Sequence, residues 1–344
     1  MTIRPASHAG SWYSSCPNVL STEIDNWLSQ TRTSTNDVTE SVPVSNARII
    51  IAPHAGYAYS GPAAAYAYAS LSVTPSTRRI FLLGPSHTLY LTKCALSTHS
   101  YYETPIGNLP IDNSTVAALR TTGKFDIMTP ETDEKEHSLE MHLPYIQKLV
   151  SRVFKSPENY PSIVPILVGN TSASAEREYG RILAPYLADP TNLFVISSDF
   201  CHWGLRFGYT YYLPEGMDET QGYDLDRSDP NPKLPLIHES IARLDKLAIS
   251  AIESGSHSAF LENLKNTGNT VCGRHPIGVA LAALEVLEKS SERENLPSLS
   301  RTASDSNHTL NQNRKFKFLR YERSSDVVDV LDSSVSYASA YATI

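Results

Sequence analysis

The sequence predicts one α/β domain, residues 1–344, with a central, mostly parallel or mixed sheet and helices on both faces. Three apolar runs of strand length carry that expectation: Arg48-Ile-Ile-Ile-Ala-Pro-His54, Arg79-Ile-Phe-Leu-Leu-Gly-Pro-Ser-His87 and Asn192-Leu-Phe-Val-Ile-Ser-Ser-Asp-Phe-Cys-His202. Runs that are apolar at consecutive rather than alternating positions suit central strands covered on both faces. Each run ends in small residues and a histidine. In an open α/β sheet the ligand crevice lies beyond the carboxyl ends of the strands, so His54, His87, Asp199 and His202 are expected to meet there.

Ahead of the first run, residues 7–13 read as a small-residue turn, and Val19, Leu20, Ile24, Trp27 and Leu28 repeat at helical spacing. Residues 31–45 are rich in Ser, Thr and Asn and read as a surface loop. The alanines of 61–71 predict a helix, with Pro62 at its first position, where a missing N–H costs nothing. Alternating apolar residues between 95 and 112 predict a β excursion away from the main sheet. The acidic stretch 129–137 reads as a loop, and a helix is expected from about Pro144 to Val153. A further strand follows at 163–169, then a helix over 175–187 capped by Ser172 or Ser174. Residues 213–235, rich in Pro, Asp and Gly, predict a mobile loop. An amphipathic helix is expected over 236–252, and another over 277–287 opened by Pro276. Residues 289–314 read as a second flexible loop. Phe316, Phe318 and Tyr321 predict an edge strand, and the tail 326–341 another.

The formal net charge of -7 argues against a nucleic-acid partner or an anionic membrane surface, since both call for a basic face. No apolar run approaches a membrane span, so the reading is of a soluble, intracellular chain without membrane insertion. Cys16, Cys94, Cys201 and Cys272 are too scattered for a disulfide framework, and reduced thiols are expected.

His54 and His87 are the leading ligand candidates, because each follows a strand and a proline within a small-residue turn, and neutral imidazole is the commonest metal ligand. Cys272 stands just ahead of a predicted helix. There the helix dipole, Arg274 and His275 are expected to lower its thiol pKa and favour the thiolate as a third ligand. A His-His-Cys set suits copper, zinc or iron rather than magnesium or calcium. Asp199 is expected to orient an imidazole, with His202 as general base or acid. His137 and His142 are five residues apart, whereas a metalloprotease helix needs four to put both on one face, so that reading is rejected. Glu140 and His142 remain expected pocket groups. Neither a phosphate-binding Gly-rich loop nor a Gly-x-Ser-x-Gly elbow is present.

Six motifs, Ser-His-Ala-Gly-Ser-Trp-Tyr at 7–13, Ala-Pro-His-Ala-Gly-Tyr at 52–57, Gly-Pro-Ser-His at 84–87, His-Ser-Leu-Glu-Met-His-Leu-Pro-Tyr at 137–145, Ser-Ser-Asp-Phe-Cys-His-Trp-Gly at 197–204 and Cys-Gly-Arg-His-Pro-Ile-Gly at 272–278, occur in the order of the MEMO family, named as mediators of cell motility. The chain resembles that family over nearly its whole length. The resemblance implies a fold similar to class III extradiol dioxygenases, a metal at His54, His87 and Cys272, and a base at His202. It also implies copper or iron, redox chemistry, a role in motility and invasive growth, and a cytoplasmic or nuclear setting. His8, Trp12 and Tyr57 are expected to line the pocket. The family is further described as binding phosphotyrosine peptides, for which Arg206 and Arg274 are the anion-holding candidates. Ring-cleaving relatives carry a carboxylate where this chain has Cys272, so their activity is not implied.

Overall fold

The computed structural model describes residues 2–31, 42–294 and 314–344. Its organising element is a nine-stranded mixed sheet. The strands are β1 (Ala47–Ala52), β2 (Arg79–Pro85), β3 (Cys94–Leu96), β4 (Asp126–Ile127), β5 (Ser162–Val168), β6 (Asn192–Ser197), β7 (His202–Trp203), β8 (Lys317–Arg323) and β9 (Ser334–Thr343). In space they run β7-β9-β1-β6-β2-β5-β3-β4, with β8 also paired to β9. The four central strands β1, β6, β2 and β5 are parallel. Antiparallel pairings flank them on both sides, β9 against β1 and β3 against β5. Every residue of β1 and β6 is buried, as strands covered on both faces require.

Ten helices lie among the described residues: α1 (Pro17–Gln30), α2 (Tyr57–Ser70), α3 (Asn113–Thr121), α4 (Pro130–Lys135), α5 (His137–Glu140), α6 (Leu143–Val153), α7 (Ala173–Ala188), α8 (Ile237–Glu253), α9 (His257–Thr267) and α10 (Arg274–Glu294). Helices α1, α2 and α6 pack together, with α2 against β1 and β9. Helices α7 and α10 pair with each other against β2 and β6. The α1–α2 contact is close because Gly61 has no side chain: a Cβ there would lie 2.7 Å from the ring of Trp27. No helix of the described residues is long and apolar enough to cross a membrane.

Several expectations change. Helix α2 starts at Tyr57, and Pro62 lies inside it. The chain turns helical directly after the His54 turn, where the Tyr57 N–H donates to the Trp12 carbonyl. The acidic stretch is α4, capped by Thr129 and started by Pro130, with Glu131 and Asp133 in its first turn. Its charge density hid an ordinary helix-start signature, in which acidic residues favour the positive end of the dipole. Helix α10 begins at Arg274 and continues through 289–294, so only 295–313 of the second expected loop lie outside the described residues. Strand β9 is interior rather than an edge, because its buried small residues let it fit between β1 and β8 while Ser339 Oγ donates to the Ala63 carbonyl of α2. Residues 213–235 include Tyr223–Asp224, paired with Tyr211–Tyr212. The β excursion is a separate three-stranded sheet of Ile3–Arg4, Tyr101–Tyr102 and Leu109–Pro110.

That small sheet is tied to the large one through Asp112. Its carboxylate caps α3 by accepting from Thr115 N at 2.9 Å, and it pairs with Arg79 Nε at the start of β2. Burial pushes its pKa up, but the hydroxyls, the Thr115 amide and Arg79 outweigh this and hold it at about 2. A depressed folded-state value contributes stability above the unfolded pKa of about 3.9, lost as pH falls toward about 2. Asp112→Ala should therefore destabilise the protein by about 1–2 kcal/mol near neutral pH, the range for losing a cap. In urea unfolding at pH 6, 4 and 3, the gap to wild type should narrow steadily; a constant gap would remove the carboxylate charge from the account.

Candidate metal centre

The parallel register sets Ala52 beside Ser197, so the turns after β1 and β6 are neighbours at the carboxyl edge of the sheet. His54 lies in the first of these turns and is held at three points. Its backbone N–H donates to Asp199 Oδ1 at 2.8 Å, and its Nδ1 is 2.6 Å from Ser197 Oγ. Ser197 in turn donates its hydroxyl hydrogen to the Ser138 carbonyl, so its oxygen receives the proton from His54 Nδ1. The lone pair is then on Nε2, which faces Cys272 Sγ at 3.2 Å. Burial first, and then the neighbouring histidines, push the His54 pKa well below the usual value, so the ring is neutral.

His87, past the end of β2, is oriented in the same way by a carboxylate. Its backbone N–H donates to Glu136 Oε2 at 2.7 Å and its Nδ1–H to Glu136 Oε1 at 2.9 Å. Burial raises the Glu136 pKa, but hydrogen bonds from His87 and Ser138 outweigh this and hold it at about 2. The carboxylate therefore stays charged and keeps the His87 Nε2 lone pair toward the cleft.

Cys272 completes the cluster: one ligand atom each from His54, His87 and Cys272 lie within 4.8 Å of one another. Donors about 2.0 Å (nitrogen) and 2.3 Å (sulfur) from a common ion are spaced on this scale. The donor set, two imidazoles each with its other nitrogen engaged and one thiol, thus fits a thiophilic metal. The expected lowering of the Cys272 pKa is not found. The protein packed around the sulfur pushes the thiol well up, and the charge nearest it is the Asp199 carboxylate, while Arg274 is exposed and turned to His275. Without an ion the group is a thiol, donating to the His54 Nε2 lone pair at 3.2 Å and accepting from the Asp199 N–H at 3.2 Å. On coordination such a thiol would release its proton to solvent and bind as the thiolate.

Asp199 therefore grips the His54 turn through the His54 and Ala55 amides and touches Cys272 through its own N–H. His202 has its Nδ1 2.8 Å from the Phe200 carbonyl and 3.2 Å from that of Thr270. Both are acceptors, so Nδ1 carries the proton and Nε2 the lone pair. Trp12 reaches the cluster through His137, with ring centroids 4.4 Å apart, and His137 stacks on His87 at the same separation. His8 is bound to Glu140 through Nδ1 at 2.8 Å. Tyr57 and His142 are core residues instead: Tyr57 donates to the Met141 carbonyl among aromatic rings, and His142 pairs with Tyr68. Arg206 is exposed over the Phe207 ring. Arg274, His275, His87 and Cys272 share the lining of a cavity of about 320 Å³.

Sequence reading missed Glu136, His137, Ser197 and His275. The adjacency Glu136-His137 is readable in the sequence, but nothing along the chain shows that this acidic segment lies against His87. Arg4 was missed as well. It is fully buried, with Nη1 2.7 Å from Glu140 Oε2, Nε 3.2 Å from Asp133 Oδ1 and Nη2 2.8 Å from the Glu136 carbonyl, so one side chain ties down the segment that orients His87. Glu140, reached also by Tyr13 and His8, supports the site from behind rather than lining it. Arg4→Leu leaves two buried carboxylates without their cation and should cost about 3–5 kcal/mol. Chemical unfolding measures it, and a loss under about 1 kcal/mol would show the network to be solvated.

The chain is 47% identical over 336 residues to Protein MEMO1 of Xenopus laevis, covering 97% of this chain and 95% of that protein. It is 44% identical over 345 residues to Protein MEMO1 of Homo sapiens, covering 100% and 98%. A crystal structure of an uncharacterized protein from Escherichia coli K12 aligns with a TM-score of 0.37 at 12% identity, covering 78% of this chain and 86% of that one; nothing is built on a likeness of that size. Residues 4–341 match the family described as Memo-like protein. That match runs from Arg4, which secures the site, through all three candidate ligands to the last strand, and the chain belongs to the Memo-like protein family.

Proposed function

We propose that this chain binds copper or iron through His54 Nε2, His87 Nε2 and Cys272 Sγ and uses it in redox chemistry. The observation that carries the reading is the convergence of these three atoms, each imidazole presented by a hydrogen bond at its other nitrogen. One thiolate with two imidazoles is a softer set than two imidazoles with a carboxylate, which favours copper while leaving iron within range. When bound, such a metal supplies one-electron chemistry. The protein's own part is to hold Nε2 of His54 and His87 inward, to keep the thiol between the Asp199 amide and His54, and to offer His202 Nε2 as a proton acceptor beside the cluster. Ring cleavage is not part of the proposal, because a thiolate stands where such enzymes carry a carboxylate. The link to motility signalling and a cytoplasmic or nuclear setting is proposed on family membership alone.

A second reading, a module that binds a phosphorylated peptide of a signalling partner, is favoured by one observation: Arg274 lines the cavity that contains His87 and Cys272. Protein purified without a histidine tag should hold about one metal per chain. Cys272→Ser should weaken Cu(I) binding by roughly a hundredfold or more, given that losing even an outer-shell partner costs 10–100-fold. Unchanged affinity would take Cys272 out of the site.

His202→Ala separates the two readings. For a redox protein it should leave metal content intact and lower metal-dependent oxygen consumption by roughly a hundredfold, the usual scale for a general acid or base. For a binding module it should weaken phosphopeptide affinity instead. A variant altered in neither measurement makes His202 structural.

A further inference from the structure

The cavity beside the candidate ligands is lined by His275 and not by His202. His275 lies in the first turn of α10, with Nδ1 2.7 Å from Glu176 Oε1. Its Nε2 accepts from Arg274 Nε at 3.2 Å. An arginine always donates, so the proton is on Nδ1 and the lone pair of Nε2 faces Arg274, which lines the cavity with His275. The other oxygen of Glu176 receives Nε2–H of His257, which is fully buried, at 2.6 Å. Burial pushes the Glu176 pKa up, but the bonds from His257 and His275 outweigh it and leave it below the usual value, so the carboxylate is charged. Gly278 makes room for it: a Cβ at that position would lie 2.4 Å from Glu176 Oε2. A buried, ionised carboxylate orienting a cavity-lining histidine whose second nitrogen is covered only by an exposed arginine is an arrangement that suits a general base.

We propose that His275, positioned by Glu176, is the proton acceptor of this cavity, and that the cavity takes a small ligand with an acidic O–H group whose anion is received by Arg274. The ligand's O–H bond breaks and an Nε2–H bond forms. The resulting imidazolium is neutralised by Glu176, and the ligand anion faces the guanidinium, which is exposed and free to swing from Nε2. The charged or titratable groups around the ring are Glu176, Arg274, His257 behind Glu176, and His87 and Cys272 across the cavity. The inference deepens the reading of the cavity given above, but its test needs no metal.

The probe is 4-nitrophenol, added to the metal-free full-length protein at a pH where the free compound is mostly the neutral phenol. Wild type should generate the yellow phenolate on binding. His275→Gln, and His275→Asn should the first variant fold poorly, should weaken phenolate binding by roughly tenfold or more, the worth of one charge-assisted contact. Arg274→Gln should weaken it too. Long-range proton–nitrogen NMR reads the positioning residue: the neutral His275 ring should be a single Nδ1–H tautomer that becomes mixed in Glu176→Ala. No phenolate with wild type, phenolate unchanged in both His275 variants, or an Nε2–H ring in wild type would each overturn the proposal. Absence of metal binding would sink the redox reading and leave this result standing.

Discussion

The site depends first on the register of β1 against β6. With Ala52 opposite Ser197, the Ser197 hydroxyl reaches His54 Nδ1 and the Asp199 carboxylate reaches the His54 amide. Side chains alternate faces along a strand, so a slip of one residue would turn Ser197 to the far side and free the imidazole to rotate. The burial of β1 and β6 on both faces makes such a slip costly, because it would move whole rows of isoleucine and valine out of their packing. The same register brings the turn after β6 to Cys272, through the Asp199 N–H. Hydrophobic packing of the sheet thus holds His54, Ser197 and Asp199 against one another.

Around this frame the protein places charged carboxylates where burial alone would neutralise them. Glu136, Glu140 and Glu176 are almost fully buried, yet each is held below the usual carboxylate range by hydrogen bonds from histidines, amides, tyrosine or Arg4. A buried charge is tolerable when its lone pairs are filled in this way, and each bond then also fixes the partner's orientation. Glu136 orients His87, Glu140 holds His8 and the Arg4 segment, and Glu176 orients His275. Two of these three act on rings that line one cavity, from walls contributed by different elements. Pairing an inner layer of imidazoles with an outer layer of ionised acids fixes which ring nitrogen is turned outward.

Much of the frame was legible in the residues. The central strands, the helices near 17–30, 143–153, 173–188 and 237–253, and the meeting of His54, His87 and Cys272 follow from apolar runs, helical spacing and motif order. Helix α4 was not legible because high charge was allowed to outweigh a Thr-Pro-Glu start. Helix α2 starts five residues ahead of Pro62, the position the sequence predicts as its first, because a proline inside a helix is tolerated where neighbouring packing compensates. Tyr57 and His142 share motifs with residues of the candidate cluster yet lie in the core, because a shared motif does not say which face a side chain takes.

By itself, then, the sequence determined which residues become strand ends, since a run of β-branched and aromatic residues that stops at proline or small residues has few other places to go. It could not determine what stands opposite each strand end. Glu136 meets His87 across 49 positions, Glu140 meets Arg4 across 136, and Glu176 meets His257 across 81. Those pairings, and with them the ring tautomers, the raised thiol pKa of Cys272 and the facing of His275 onto the cavity, were decided only by tertiary structure. The physical reason is that a proton's position and a charge's cost depend on the neighbours within a few ångströms, and those neighbours are set by how the layers pack rather than by the order of residues along the chain.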